Sequence, residues 1–109
     1  MNQIEFHPDA KAELDYAAIY YETKRRGLGG EFLAEVERTL EHLCEFPQSG
    51  AEFRRTGYRR FVVRRFPYVV VYGILPNSIR VIAVGHGKQR PGYWRSRRFE
   101  ADRSEEDDS

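Results

Sequence analysis

The chain has 109 residues, 40% of them hydrophobic and 32% charged, and a net charge of +1; this suits one domain with one modest core and leaves no room for a second. No apolar run approaches the roughly 18 residues of a membrane span, and the opening MNQIEFHPDA has neither the basic nor the apolar region of a signal peptide, so a soluble, cytosolic protein is expected. The single cysteine, Cys44, excludes an internal disulfide, and His7, His42 and His86 show no metal-ligand spacing with it, so neither a structural metal nor a cofactor is expected.

A first strand is expected over residues 4–7. From Asp9 the period becomes helical, with Ala10, Leu14, Ala17 and Tyr21 recurring at steps of four, three and four along one face. Pro8 suits a first helical position because its missing donor would be unpaired there anyway, and Asp9 and Glu13 sit where the helix dipole favours acids. The stretch RRGLGG at 25–30, with three glycines, predicts a turn. Leu33, Val36, Leu40 and Leu43 then mark a second helix, which stops at Phe46-Pro47 because the residue before a proline avoids helical angles. The two helices form a hairpin.

From Ala51 onward the period changes to two and the composition to Val, Ile, Tyr and Phe. Strands are expected at residues 52–54, 58–66, 68–75 and 79–86, with a turn at Pro76-Asn77-Ser78 and a bend at Pro67. The order β-α-α-β-β-β-β predicts a two-layer α+β domain over residues 1–99, its helix hairpin covering one sheet face and leaving the other open. Alternation assigns Phe61, Val63, Ile79, Val81 and Ala83 to the helix side. Arg60, Arg64, Arg80 and His86 should then converge on the open face, unless a bulge near Pro67 or Gly85 inverts the assignment.

Charge is segregated along the chain. Residues 1–50 hold 5 basic and 10 acidic residues, residues 51–99 hold 12 basic residues against Glu52 alone, and residues 100–109 hold Arg103 against six acids. Only Lys11, Lys24 and Lys88 of the 18 cations are lysine, and arginine's planar fork suits phosphate and carboxylate partners. The basic middle block therefore points to a polyanionic or acidic partner, with Arg60, Arg64, Arg80, Lys88, Arg90 and Trp94 as candidate contacts. Trp94 either closes one end of the core or presents an apolar surface to a partner. Tyr16, Tyr20 and Tyr21 on the first helix read as packing rather than as a stacking platform. The tail at 100–109 is acidic without apolar periodicity and is expected to be a disordered, solubilising end.

The segments IEFHPDAKAEL, GYRRFVVRRFPYVVVYGIL and IRVIAVGHGKQRPGYW, together with the helix pair, resemble the RelE/ParE superfamily of type II toxin-antitoxin toxins over about residues 3–97. The resemblance implies an antiparallel sheet, a cytosolic bacterial setting of the plasmid-stabilisation kind, and a cognate antitoxin that wraps and neutralises the toxin. It also implies one of two activities. ParE-like members inhibit DNA gyrase and cleave no RNA, whereas RelE-like members are ribosome-dependent mRNA endonucleases.

Metal-free RNA cleavage needs a base for the 2′-hydroxyl, cations for the charged phosphorane and an acid for the leaving oxygen. His86, Arg64, Arg80 and Tyr93 are the candidates for those roles if the chain is RelE-like. RelE-like enzymes, however, carry an arginine just after the tyrosine that opens the strand at 68–75, and here that place is Val69. The paired arginines before PYVVVY and the HGK turn look more like ParE-like members. A ParE-like toxin acting on DNA gyrase is therefore the preferred assignment, with the mRNA endonuclease as its alternative and a non-toxic nucleic-acid-binding module behind both.

Overall fold

A computed structural model describes residues 3–99. Strand β1 (Gln3–Phe6) leads into helix α1 (Pro8–Lys24), followed by α2 (Leu28–Glu45), a single 3-10 turn (Pro47–Ser49), and strands β2 (Ala51–Glu52), β3 (Arg59–Val62), β4 (Tyr68–Ile74) and β5 (Ser78–His86). His7 caps α1, its Nδ1 accepting from the Asp9 backbone N–H at 3.0 Å. The cap satisfies one of the free donors at the helix start. The RRGLGG turn is shorter than expected, because Leu28, Gly29 and Gly30 already belong to α2. Gly29 is there for a packing reason: a Cβ on it would lie 2.5 Å from the Ala18 carbonyl oxygen, so only glycine lets the two helices approach this closely.

Helix α1 buries Ala10, Leu14, Ala17 and Ala18, and α2 buries Phe32, Val36, Leu40 and Leu43 against them and the sheet. Leu33, expected on the buried face, is 41% exposed. Its neighbour Phe32 holds the place, since steps of four from Phe32 through Val36 to Leu40 keep one face and Leu33 lies about 100° around the helix.

The sheet order is β1-β5-β4-β3-β2. β2, β3, β4 and β5 pair antiparallel, but β1 runs parallel to β5, with Ile4 opposite Ile79 and Phe6 opposite Val81. The sheet is therefore mixed rather than purely antiparallel. A parallel neighbour requires a long crossover, and the helix hairpin between β1 and the later strands is part of one.

Two local departures decide where side chains point. β3 stops at Val62 because residues 64 and 65 turn, with Arg65 at φ +73°. Ion pairs from Arg65 to Glu31 (2.9 Å) and Glu35 (3.5 Å) hold that left-handed conformation. In β5, Val81 lies opposite Tyr72 while Ala83 lies opposite Val71, which leaves Ile82 as the extra residue of a bulge. Ile79 and Val81 face the helices before the bulge and Val84 faces them after it, while Ile82 and Ala83 lie on the other side. The expected helix-side place of Ala83 is corrected.

The second sheet face is not open. Phe53, Val69, Val71, Ile82, Ala83, Trp94 and Phe99 form a second core there, because segment 87–99 folds back across the strands. Full burial of Trp94 and Phe99 contributes on the order of 2 kcal/mol each, which holds the segment down. Where β1 ends, side chains take over its role beside β5: Val84 N–H donates to Glu13 Oε1 at 3.0 Å, and Arg97 Nη1 donates to the Ile82 carbonyl at 2.9 Å. Among the described residues no helix is long and apolar enough to cross a membrane. The acidic tail at 100–109, expected to be disordered, lies outside the described residues.

Candidate functional site

The stretch that follows the last strand makes a tight turn whose polar groups bond one another. Gly87 N–H donates to the Pro67 carbonyl at 2.8 Å, Lys88 N–H to His86 Nδ1 at 3.0 Å, and His86 N–H to Gln89 Oε1 at 2.8 Å. Because Nδ1 accepts, the neutral His86 ring carries its proton on Nε2. The ring stands edge-on to Tyr68, 5.5 Å between centroids. Gly85 is required beneath this turn: a Cβ there would collide with the Tyr93 hydroxyl and come within 2.7 Å of Gln89 Oε1.

His86 and Gln89 border two openings. One is a cavity of about 80 Å³ floored by Phe53, Val69, Val71 and Trp94 and reached by Arg60 and Arg90. The other, a cleft of about 490 Å³, lies between α1 and the ends of β4 and β5, where Tyr16, Tyr68 and Glu13 line it.

Glu13 ties α1 to the returning segment. Its Oε1 accepts from Val84 N–H (3.0 Å) and Arg97 Nη1 (2.8 Å), and its Oε2 accepts from the Tyr93 hydroxyl (2.8 Å) and Arg97 Nη2 (3.0 Å). Burial first, and then the bond to the Glu13 carboxylate, pushes the Tyr93 hydroxyl pKa well above its ordinary value. The same carboxylate holds Arg97 firmly protonated. On the other side of the segment, His7 Nε2 donates to the Arg98 carbonyl at 2.9 Å.

The cations of the basic half that matter to the site differ in their partners. Arg65 pairs with Glu31 and Glu35, Arg97 with Glu13, and Arg80 with Glu5 (3.1 Å) while its guanidinium lies 4.4 Å over the Phe99 ring. Arg60, Arg64, Lys88 and Arg90 are exposed and have no carboxylate partner among the described residues.

The expected convergence of Arg60, Arg64, Arg80 and His86 is therefore not what the fold produces. Arg60 and His86 border the same cavity. Arg64 lies in a groove beside α2 with Arg38, His42 and Phe61, because the turn at Arg65 ends the alternation of β3. Arg80 is committed to Glu5 and Phe99, and the bulge at Ile82 carries His86 to the rim shared with α1. Trp94 is 3% exposed and packs edge-on against Phe53 and Tyr58, so it closes the second core.

Glu13 and Arg97 are the residues that sequence reasoning missed. Glu13 reads in sequence as an acid suited to the start of a helix, and nothing in the pattern links it to an arginine 84 positions away. Among the described residues, no group of His, Cys, Asp and Glu side chains could hold a metal ion.

Residues 4–91 match the family described as ParE toxin of type II toxin-antitoxin system, parDE, and the chain belongs to that family. Among solved structures it is similar to one described as the chromosomal ParDE TA system from P. aeruginosa, with a TM-score of 0.57 at 17% identity over 77% of this chain and 94% of that one. At that identity the likeness is one of fold. No curated protein matches the sequence.

Proposed function

We propose that this member of the ParE toxin family arrests growth by acting on DNA gyrase in the cytoplasm, and that a cognate antitoxin neutralises it. The observation that carries the reading is the separation of the residues that RNA cleavage would need. Tyr93 has its proton engaged by Glu13 and its ionisation suppressed by burial. His86 presents an N–H at Nε2 in its neutral form, so that nitrogen has no lone pair with which to take a proton. Arg64 and Arg80 lie away from His86, and Val69 is buried in the cavity floor. Arg60, Lys88 and Arg90 supply the exposed cations for contact with a target, while Trp94 and Arg80 act through the shape of the returning segment.

The antitoxin would meet both the unpaired cations and the exposed apolar residues Tyr16, Ile19 and Tyr20 of α1. Its association rate should fall between low and physiological salt. A rate insensitive to ionic strength removes the electrostatic part of this proposal.

One observation favours the endonuclease as a second reading: His86 shares its cavity with Arg60 and Arg90, a cationic setting for a scissile phosphate. Two assays separate the readings. In the gyrase reading, purified gyrase loses supercoiling activity, primer extension on a translated message finds no cuts, and His86→Ala has a mild effect. In the endonuclease reading, cuts appear in codon phase and His86→Ala lowers their rate by roughly a hundredfold, the usual scale for a lost acid or base. If both assays are negative, the non-toxic binding module is the reading that survives.

A further inference from the structure

His86 and Gln89 line both of two openings of different chemistry. On one side Arg60 and Arg90 offer cationic forks with no carboxylate to occupy them among the described residues. On the other stand two tyrosines. The Tyr68 ring is fixed by edge contacts to Tyr21, Phe32 and His86, whereas Tyr16 is 75% exposed with its faces available. Glu13 in the same cleft would ordinarily repel an anion, but both its oxygens are engaged and the Arg97 guanidinium neutralises it. The buried Trp94 can stack on nothing from outside.

We propose that the paired openings hold one nucleotide of a single-stranded nucleic acid, its phosphate at Arg60 and Arg90 and its base against Tyr16 and Tyr68. The phosphate and base of one nucleotide are separated by a single sugar, which would lie across His86 and Gln89, the two residues common to both openings. His86, which borders both openings, has Nδ1 occupied by the Lys88 N–H and so offers an N–H at Nε2, suited to a phosphate oxygen. The base must be unpaired, because a base in a duplex has no free face to give to tyrosine. The proposal deepens the functional reading above and rests on it only in taking the 85–95 turn as the target-facing edge. The proposal assigns no residue to the 2′-position, so DNA and RNA strands should both fit.

Fluorescence anisotropy with a labelled ten-nucleotide DNA, the matching RNA and a backbone of abasic sites tests the idea. Arg60→Gln and Arg90→Gln should each weaken binding roughly fivefold and lower the salt slope by about 1. Tyr16→Ala should weaken binding of the base-bearing strands roughly tenfold and leave the abasic backbone unaffected. Arg26→Gln removes an equal charge from an exposed position between the helices and should change little. Thermal unfolding checks that each variant is folded. The proposal is overturned if Arg26→Gln costs as much as Arg60→Gln, or if the abasic backbone binds as tightly as DNA, since diffuse charge would then explain everything. An acidic peptide that competes as well as the oligonucleotide, or a tenfold preference for RNA, also overturns it. Oligonucleotide binding without gyrase inhibition would sustain this site while removing the gyrase target, and gyrase inhibition without oligonucleotide binding would do the reverse.

Discussion

Glu13 accepts four hydrogen bonds from three parts of the chain: the edge of β5, Tyr93 and Arg97. Charge-assisted bonds are worth more than neutral ones, and removing one partner leaves the others desolvated and unpaired. Glu13→Gln keeps an acceptor but leaves the Arg97 guanidinium with only the longer ion pair to Asp9 (3.7 Å) as counter-charge, and should destabilise the fold by about 2 kcal/mol in urea unfolding. Tyr93→Phe should cost about half as much, and the double variant less than the sum, because both act on one network. The pH dependence separates this network from simple packing. The Tyr93 hydroxyl has its ionisation pushed up in the folded chain, so an unfolded chain ionises first as pH rises past the ordinary value of 10. Its contribution is intact below pH 10 and is lost above it. Tyr93→Phe should therefore flatten the alkaline fall in stability, though only in part, since burial also raises Tyr21, Tyr68 and Tyr72.

At the scale of the element, β5 carries the point on which the site turns. A strand of alternating Val, Ile and Ala gives no sign of where a bulge will fall, because an extra residue is a property of pairing with β4 and not of the side chains themselves. The helix hairpin and the order of strands were legible because they depend on periodicity summed over many residues. The side of the sheet reached by His86 was not, since one unpaired residue at Ile82 reverses it. The same limit explains Leu33 and Phe32, adjacent apolar residues of which one had to be exposed. The basic half, His86, Arg60 and Arg90 were readable as residue types, whereas the return of segment 87–99 depends on contacts between distant positions. Gly85 offers a direct check on how tightly that return is made. Gly85→Ala should force Tyr93 and Gln89 away, at a cost of about 2 kcal/mol or more, and should loosen segment 87–99 selectively. Hydrogen exchange would register this as lost protection at Tyr93, Arg95 and Arg97 N–H with α2 unchanged; equal loss in α2 would mean that the segment and the helices open as one unit.

For the whole molecule, the near-zero net charge hides a basic block flanked by acidic ones, and the structure accounts for part of the arrangement. Acids of the first fifty residues neutralise Arg65, Arg80 and Arg97 within the fold, and these pairs consume Glu31, Glu35, Glu5 and Glu13. Arg60, Arg64, Lys88 and Arg90, among the cations without a carboxylate partner within the described residues, stay exposed and contribute to the field that a polyanion would meet. Six acids at 100–109 lower the net positive charge that favours such binding, and they do so through the primary sequence whatever shape they take. A chain ending at Phe99 would carry 17 basic and 11 acidic residues, a net charge of +6. If the tail is merely solubilising, the unfolding midpoint of this shorter chain should stay within experimental error of the full chain. Non-specific affinity for duplex DNA should rise roughly tenfold at physiological salt and converge with the full chain at high salt, because the difference is electrostatic. Growth inhibition at equal expression should then be unchanged if the tail only adjusts charge. A large gain in toxicity would show instead that the acidic residues occupy the cationic surface in competition with its target.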